Sequence, residues 1–595
     1  MSDKRLKAGI FGPFRRILRS MPERNVLMLL SLVVGVACGL AAVLLKVSIE
    51  HIHHALTSWF HGERYNALFL LYPGIGMLIA MLFVRYVVKD NIGHGVTKVL
   101  VAVSKNESKI RPHNMWSSLL ASSVTIGFGG SVGAEAPIVY TGAAIGSNVA
   151  RAMGLSYKNM TILLGCGAAG AVAGIFKAPL AGVLFTLEIL LFNISMTSIL
   201  PLLLSTISAT VVSYIFLGDS LPFECTLSPF AMGNIPFYLI LGLFCAACSV
   251  YFTRMTLWLE DKIRSIKRPF VRWAISSACL GLLIFLFPPL YGEGYEHLHE
   301  LLNGGMIDLE GQTVLAFFMR NAWSVPVFFL LILVLKVFSM SFTNAGGGVG
   351  GTFGPTLFIG AIAGFVVSRI INLIGGPELV PEQNFVLVGM AGLMAGVMQA
   401  PMTAIFLIAE ISGGYDLLIP LILTATVSYG MTRTLEPYSI YTKRIAKKGE
   451  LLTHDSDQAV LTLLKTNELV ESDFKTIKID ATLGELVEKI ARSKRNIFPV
   501  VDSRNHFQGY VSLEDIRKDM FTTELYETQH VYNYMKSTPA YVYVDEKMDS
   551  VMKKFETTGA WNLPVVEADR TYVGFVSKSK IFSAYRDQLK QVSHD

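Results

Sequence analysis

Gly129–Gly146 reads GGSVGAEAPIVYTGAAIG: a glycine-rich break, one carboxylate at Glu135, a proline, then an apolar helix pattern. An ionisable side chain inside an apolar segment is costly and marks a functional site. The glycines let backbone N–H groups face a cavity, and the helix that follows aims its positive end at the same place. A carboxylate there competes with an anion when charged and withdraws when protonated. A glutamate merely capping its helix at a water interface is the plainer alternative. Downstream, GGVGGTFGP (Gly347–Pro355) repeats the pattern at an offset of 218, with Gly133 opposite Gly351, Pro137 opposite Pro355 and Glu135 opposite Phe353. Here Thr352 and Phe353 offer backbone amides at a second helix start, and Phe353 adds an aromatic constriction; helix packing by small residues is the alternative.

A second pair follows in the same order. AGAVAGIFKAPLAGVLFTLEI (Ala169–Ile189) aligns with AGLMAGVMQAPMTAIFLIAEI (Ala391–Ile411) at an offset of 222, and Glu188 falls on Glu410. Two ordered matches at nearly one spacing indicate a duplicated unit. The symmetric placement of Glu188 and Glu410 favours a shared structural role, such as satisfying backbone donors.

The surroundings are those of a membrane protein. Of 595 residues, 52% are hydrophobic and 16% charged, against about 25% charged in soluble proteins. Apolar runs recur from residue 25 to about 433, several long enough to span a bilayer at about 20 residues each. Interrupted helices at matching positions of two halves point to a transport site. The net charge of +6 is concentrated beside the apolar region: Lys4, Arg5, Lys7, Arg15, Arg16, Arg19 and Arg24 precede it, and Lys443, Arg444, Lys447 and Lys448 follow it. Such excess places both termini in the cytoplasm; its position beside a span argues against nucleic acid. The first run is too long for a cleavable signal.

Other chemistry-bearing residues are sparse. His94 sits in Gly93-His94-Gly95-Val96, a third glycine-flanked break, where it donates to an anion, titrates, or serves as a polar loop residue. His51, His53, His54 and His61 are read as a solvated loop, with a metal site the less favoured reading. Cys245-x-x-Cys248 lies in an apolar helix pattern and reads as packing. Gly346-x-Gly348-x-x-Gly351 fits a dinucleotide fingerprint by letters only, since no strand–turn–helix unit surrounds it.

Beyond about 450 the chain turns polar and is again duplicated. IFPVVDSRNHFQGYVS (Ile497–Ser512) matches NLPVVEADRTYVGFVS (Asn562–Ser577) at an offset of 65. Each copy predicts strand, helix (Leu483–Ser493; Met548–Thr557), strand, strand, helix. The expected organisation is a basic N-terminus over 1–24, a membrane domain over 25–448, a linker over 449–473 and two α/β repeats over 474–530 and 531–595.

The ordered motifs resemble the CLC family of chloride channels and proton/chloride exchangers, over about 25–445. GSVGAEAP resembles the family's GxEGP motif, GGTFGP its GxFxP motif, and Gly93–Val96 its GSGIP motif; the tail resembles a CBS-domain pair. The resemblance implies a polytopic α-helical homodimer of non-enzymatic subunits, each with two inverted repeats and its own anion pathway. Glu135 is then the gating glutamate. Gly133, Thr352 and Phe353 belong to the anion site, with His94 where the family usually has serine. Tyr438 matches the anion-coordinating tyrosine, with Tyr441 the competing register. Ala134 and Ala136 replace the usual basic residue and glycine. Ile189 stands where many exchangers have a second, proton-relaying glutamate, so a voltage-dependent channel and an antiporter both remain open. Ser512 and Asp515 match the family's nucleotide-contacting Ser/Thr-x-x-Asp, whereas Ser577-x-x-Lys580 does not; an adenine nucleotide is the implied ligand, and no cofactor is required. A membrane-embedded sensor or scaffold and a CBS-regulated cation transporter are the rival readings; a cation pathway calls for more intramembrane carboxylates than this chain has.

Overall fold

The computed structural model describes residues 21–57, 70–190, 198–220, 223, 227–295, 298, 302, 321–376, 378–447 and 464–593. The basic N-terminus up to residue 20, His61 and residues 449–463 of the expected linker lie outside them. Two compact units divide at Leu452/Thr453.

The first unit is helical. Its first half contains α1 (Glu23–Thr57), α2 (Tyr72–Leu82), α3 (Gly95–Lys105), α4 (Ser117–Gly127), α5 (Glu135–Met153), α6 (Tyr157–Phe176), α7 (Pro179–Phe185, continued as a π-helical turn Thr186–Leu190) and α8 (Ile199–Leu217). The second half contains α9 (Ile235–Arg264), α10 (Pro269–Leu286), α11 (Ser324–Gly346), α12 (Phe353–Gly375), α13 (Glu382–Met398), α14 (Pro401–Ile411), α15 (Leu418–Leu435) and α16 (Ile440–Ala446). Among the described residues, seven helices are long and apolar enough to cross a membrane, and others are half-length apolar pieces. The protein is therefore a multi-pass membrane protein. His51, His53 and His54 are part of α1, which runs on to Thr57 rather than yielding to a loop. Cys245 and Cys248 are buried on α9.

The duplication is visible in the breaks. α6 ends at Lys177 and α13 at Gln399, both left-handed with φ of 56° and 54°. The next residues, Ala178 and Ala400, leave the helical region with ψ of 84° and 72°, as a following proline requires. Pro179 and Pro401 then open α7 and α14, where a missing N–H costs nothing. Even the side chains at the break correspond. Lys177 Nζ donates to Gly218 O at 2.8 Å, just past α8, and Gln399 Nε2 donates to Glu436 O at 2.6 Å, just past α15. Packing corresponds too: α5 crosses α6 as α12 crosses α13. Both crossings depend on bare backbone, since a Cβ on Gly146 would lie 2.0 Å from Leu163 O and one on Gly364 1.9 Å from Phe385 O. Small residues permit such approaches where lipid offers no hydrophobic drive between helices.

Equivalent residues also pair with each other. Gly133 N donates to Gly351 O at 3.1 Å and Gly351 N to Gly133 O at 2.7 Å, so an approximate two-fold axis passes between them. Glu188 accepts from Met402 N at 3.2 Å and Thr403 N at 2.8 Å, at the start of α14. Glu410 accepts from Leu180 N at 3.0 Å and Ala181 N at 2.9 Å, at the start of α7. Each carboxylate satisfies the orphan amides of the other half's helix.

The second unit holds two three-stranded sheets. β1 (Ile477–Lys478), α17 (Leu483–Ala491), β2 (Ile497–Val501), β3 (Phe507–Ser512) and the short α18 (Leu513–Ile516) form one repeat; β4 (Val542–Tyr543), α19 (Met548–Thr558), β5 (Asn562–Val566), β6 (Tyr572–Ser577) and α20 (Lys578–Ser593) form the other. In each, the first strand pairs parallel with the second and the second antiparallel with the third, and each bears one irregularity, at Val500/Val501 and Val565/Val566. α17 starts in a capping box between Thr482 and Glu485. His506 bridges Thr571, its equivalent at the offset of 65, so this unit too is built on pairing of like with like.

Candidate functional site

Glu135 and Phe353 are the first helical residues of α5 and α12, and both are buried. The Gly133–Gly351 bridge holds the two helix starts together. Two glycine-rich turns of chain thus meet backbone to backbone, and the positive ends of two helices face one small region.

The Glu135 carboxylate fills that region. Its Oε2 accepts from Gly354 N, inside the first turn of α12, at 3.1 Å. Its Oε1 accepts from the Tyr295 hydroxyl at 2.6 Å. The carboxylate of one half therefore sits at the helix start of the other, where a free anion would find the same donors. Phe353 packs against Phe176 and Phe185, with ring centroids at 5.4 and 6.2 Å, closing the apolar side.

On the other flank lies Thr352, buried, with Tyr441 of α16 as its neighbour. The Thr352 and Tyr441 hydroxyls are both buried and have no polar partner beyond each other. Tyr438 precedes α16 and is 43% exposed, whereas Tyr441 is 2% exposed; of the two registers, Tyr441 is the tyrosine beside the helix starts. His94 caps α3 with a left-handed backbone, φ 57°. Its Nε2 accepts from the Arg264 guanidinium at 2.6 Å and lies 3.3 Å from Glu260 Oε2, while Glu260 Oε1 accepts from Arg444 at 2.9 Å. His94 is thereby tied to a buried ion cluster instead of Glu135. Ile189 is buried in the π-helical turn after α7.

A cavity of about 360 Å³ opens beside Glu135, lined on its polar side by Lys46, Glu50 and His53 of α1 and by the loop Tyr291–Tyr295. Tyr295 and Glu293 escaped the sequence reading. They lie about 160 residues from Glu135, in a loop whose only local signal is two glycines around a glutamate.

In the tail, Ser512 Oγ donates to Asp515 Oδ2 at 2.7 Å, and Lys536 pairs with Oδ1. Burial opposes the Asp515 charge, but the bonds from Lys536 and Ser512 outweigh it and hold the carboxyl below the usual range. In the second repeat, Ser577 Oγ donates to Glu471 Oε2 at 3.2 Å and accepts from Lys580 N at 3.2 Å.

Comparison with known proteins agrees with this architecture. Residues 75–433 match the family model described as voltage gated chloride channel, and residues 467–521 and 531–587 match the CBS domain. The H(+)/Cl(-) exchange transporter ClcA of Vibrio cholerae is 26% identical over 449 residues, 72% of this chain and 91% of that protein. A solved structure of a CLC-type fluoride/proton antiporter superposes with a TM-score of 0.58 at 25% identity, over 70% of this chain and 97% of its own. A eukaryotic CLC transporter, at 16% identity and a TM-score of 0.58, shares the fold over 93% of this chain and 97% of its own. Since the family model spans well over half the chain, in the order helix start, break and cross-cap described above, the protein belongs to the voltage gated chloride channel (CLC) family and carries a CBS-domain pair.

Proposed function

We propose that this protein carries chloride or a similar small anion across the bilayer, with protonation of Glu135 opening the pathway. The observation that carries the reading is the Glu135 carboxylate bound to Gly354 N. A negative group already occupies the donors an anion would use, so anion entry requires its departure. Protonation removes the charge that holds it there. Gly133, Thr352 and Phe353 frame the anion site, and the buried hydroxyls of Thr352 and Tyr441, which have no polar partner beyond each other, are donors that an anion can take up. Tyr441 takes the role that the alignment first suggested for Tyr438. His94, held by Glu260 and Arg264, fixes the start of α3 instead of touching the anion. The subunit works as a homodimer, with both termini in the cytoplasm, as the flanking lysines and arginines favour. Relatives named as exchangers and antiporters support transport over the scaffold and cation readings.

Chloride efflux from proteoliposomes, with simultaneous external pH recording and a potassium/valinomycin clamp, tests this. Chloride flux that rises as pH falls is expected. Proton uptake against the driving voltage makes the protein an exchanger whose protons bypass Ile189; flux without proton movement makes it a channel gated by Glu135. Absence of flux for any small anion overturns the reading.

The CBS pair regulates this transport through one adenine-nucleotide site at Ser512 and Asp515. Calorimetry of the full chain in detergent with ATP, ADP and AMP is expected to give saturable binding that is lost in Asp515→Ala. No heat with folded protein removes the nucleotide and leaves the pair a structural support.

A further inference from the structure

The loop Tyr291–Tyr295 (YGEGY) is fastened by four hydrogen bonds. Gly292 N donates to Gly129 O at 3.2 Å, and Gly292 O accepts from the buried Lys336 Nζ at 3.0 Å. Glu293 Oε1 accepts from Ala134 N at 2.7 Å, and Tyr295 holds Glu135. Gly292 and Gly294 have φ of 55° and 86°, backbone that glycine adopts without strain. A Cβ on Gly294 would also lie 2.6 Å from the Phe358 ring. Two glycine bends therefore press Glu293 against the residue that precedes Glu135. Gating by Glu135 needs Tyr295 but gives no reason for a second carboxylate.

Both carboxylates line the same cavity. The ionisable groups around Glu293 are Glu135 on α5, Lys46, Glu50 and His53 on α1, Lys336 on α11, and Tyr291 and Tyr295 on its own loop. When Glu135 leaves the Gly354 amide, this cavity is the space beside it. Two ionised carboxylates in one such site repel strongly, and one of them takes up a proton instead.

We propose that Glu293 is a positioning residue that shares this cavity with Glu135 so that the two are not ionised there together, and Glu135 moves into the cavity only with a proton on the pair. Glu293 thereby converts a carboxylate gate into a proton-dependent one. This rests on Glu135 being the gate.

The test is anion flux against pH in proteoliposomes for wild type, Glu293→Gln, Glu293→Asp and Glu135→Ala with and without Glu293→Gln. Glu293→Gln is expected to raise flux at alkaline pH about tenfold or more, the factor that one pH unit of coupling in a close charge pair represents, and so to flatten the pH profile. Glu293→Asp, which keeps an ionisable carboxyl, restores the wild-type profile. In the Glu135→Ala background the substitution has no effect on the profile. A folded Glu293→Gln with the wild-type profile, or an equal change without Glu135, overturns the proposal. A pH-insensitive Glu135→Gln beside a wild-type-like Glu293→Gln leaves the gate standing and removes only Glu293. A Glu135→Gln with the wild-type profile removes the gate and the proposal together.

An infrared titration of the purified protein reads the same coupling without flux. Because coupling is reciprocal, neutralising Glu135 in Glu135→Gln should move protonation of Glu293 to lower pH by the same amount. This arm decides the question even where Glu293→Gln does not fold. An unmoved Glu293 band overturns the proposal.

Discussion

Glu135→Gln is expected to leave anion flux almost independent of pH, to raise it about tenfold or more at alkaline pH, and to abolish any proton movement coupled to it. Glutamine has the shape of the protonated side chain and cannot ionise. It still fits between Tyr295 and Gly354, so the fold survives. What it loses is the charge in the bond to Gly354 N. A hydrogen bond to a charged group contributes about 1.5–3 kcal/mol, and each 1.4 kcal/mol is about tenfold in an equilibrium. The closed arrangement is weakened by that factor. Flux at several pH values in proteoliposomes checks it. A variant with the wild-type pH profile means that some other group opens the pathway.

The second large effect concerns stability. Glu188→Ala or Glu410→Ala strips two amides at a helix start of their acceptor. A buried donor left unsatisfied costs about 1–3 kcal/mol; with one amide of each pair part-buried and the other exposed, each substitution is expected to cost about 1–3 kcal/mol. Glutamine at either position retains an acceptor oxygen and costs less. Thermal unfolding in detergent, followed by size exclusion, should rank wild type above both glutamine variants and those above both alanine variants. Glu188 also accepts from the Thr403 hydroxyl at 2.7 Å, so its loss is expected to be the larger of two comparable losses. A large loss at one and none at the other means that only one half depends on its partner's cap.

Much of this was legible in the sequence because it is local. The glycine–carboxylate–proline order at 129–137 fixes a helix start, and the KAP and QAP breaks at 177–179 and 399–401 fix where two helices stop. Paired offsets located Glu188 and Glu410 as partners in role, although not that each serves the other's helix. The gaps came from contacts that no local pattern encodes. Tyr295 reaches Glu135 across 160 residues. Tyr438 and Tyr441 differ by less than one helical turn, and only burial separates them. His94 had the position of an anion ligand, but Glu260, Arg264 and Arg444 lie far from it in sequence and compete for its ring. A four-residue motif says which backbone is exposed; it does not say which charges fold against it.

The exchange of caps between Glu188 and Glu410, together with the Gly133–Gly351 bridge, has the form of an isologous dimer interface, in which residue i meets j and j meets i. Here both copies are on one polypeptide. During synthesis Glu188 emerges more than 200 residues before Met402 and Thr403, its acceptor unfilled until the second half follows. Neither half can complete its own helix starts, so half a chain is an orphan, and its rescue by a separately made second half is the expected result, as for a dimer whose subunits were later joined end to end.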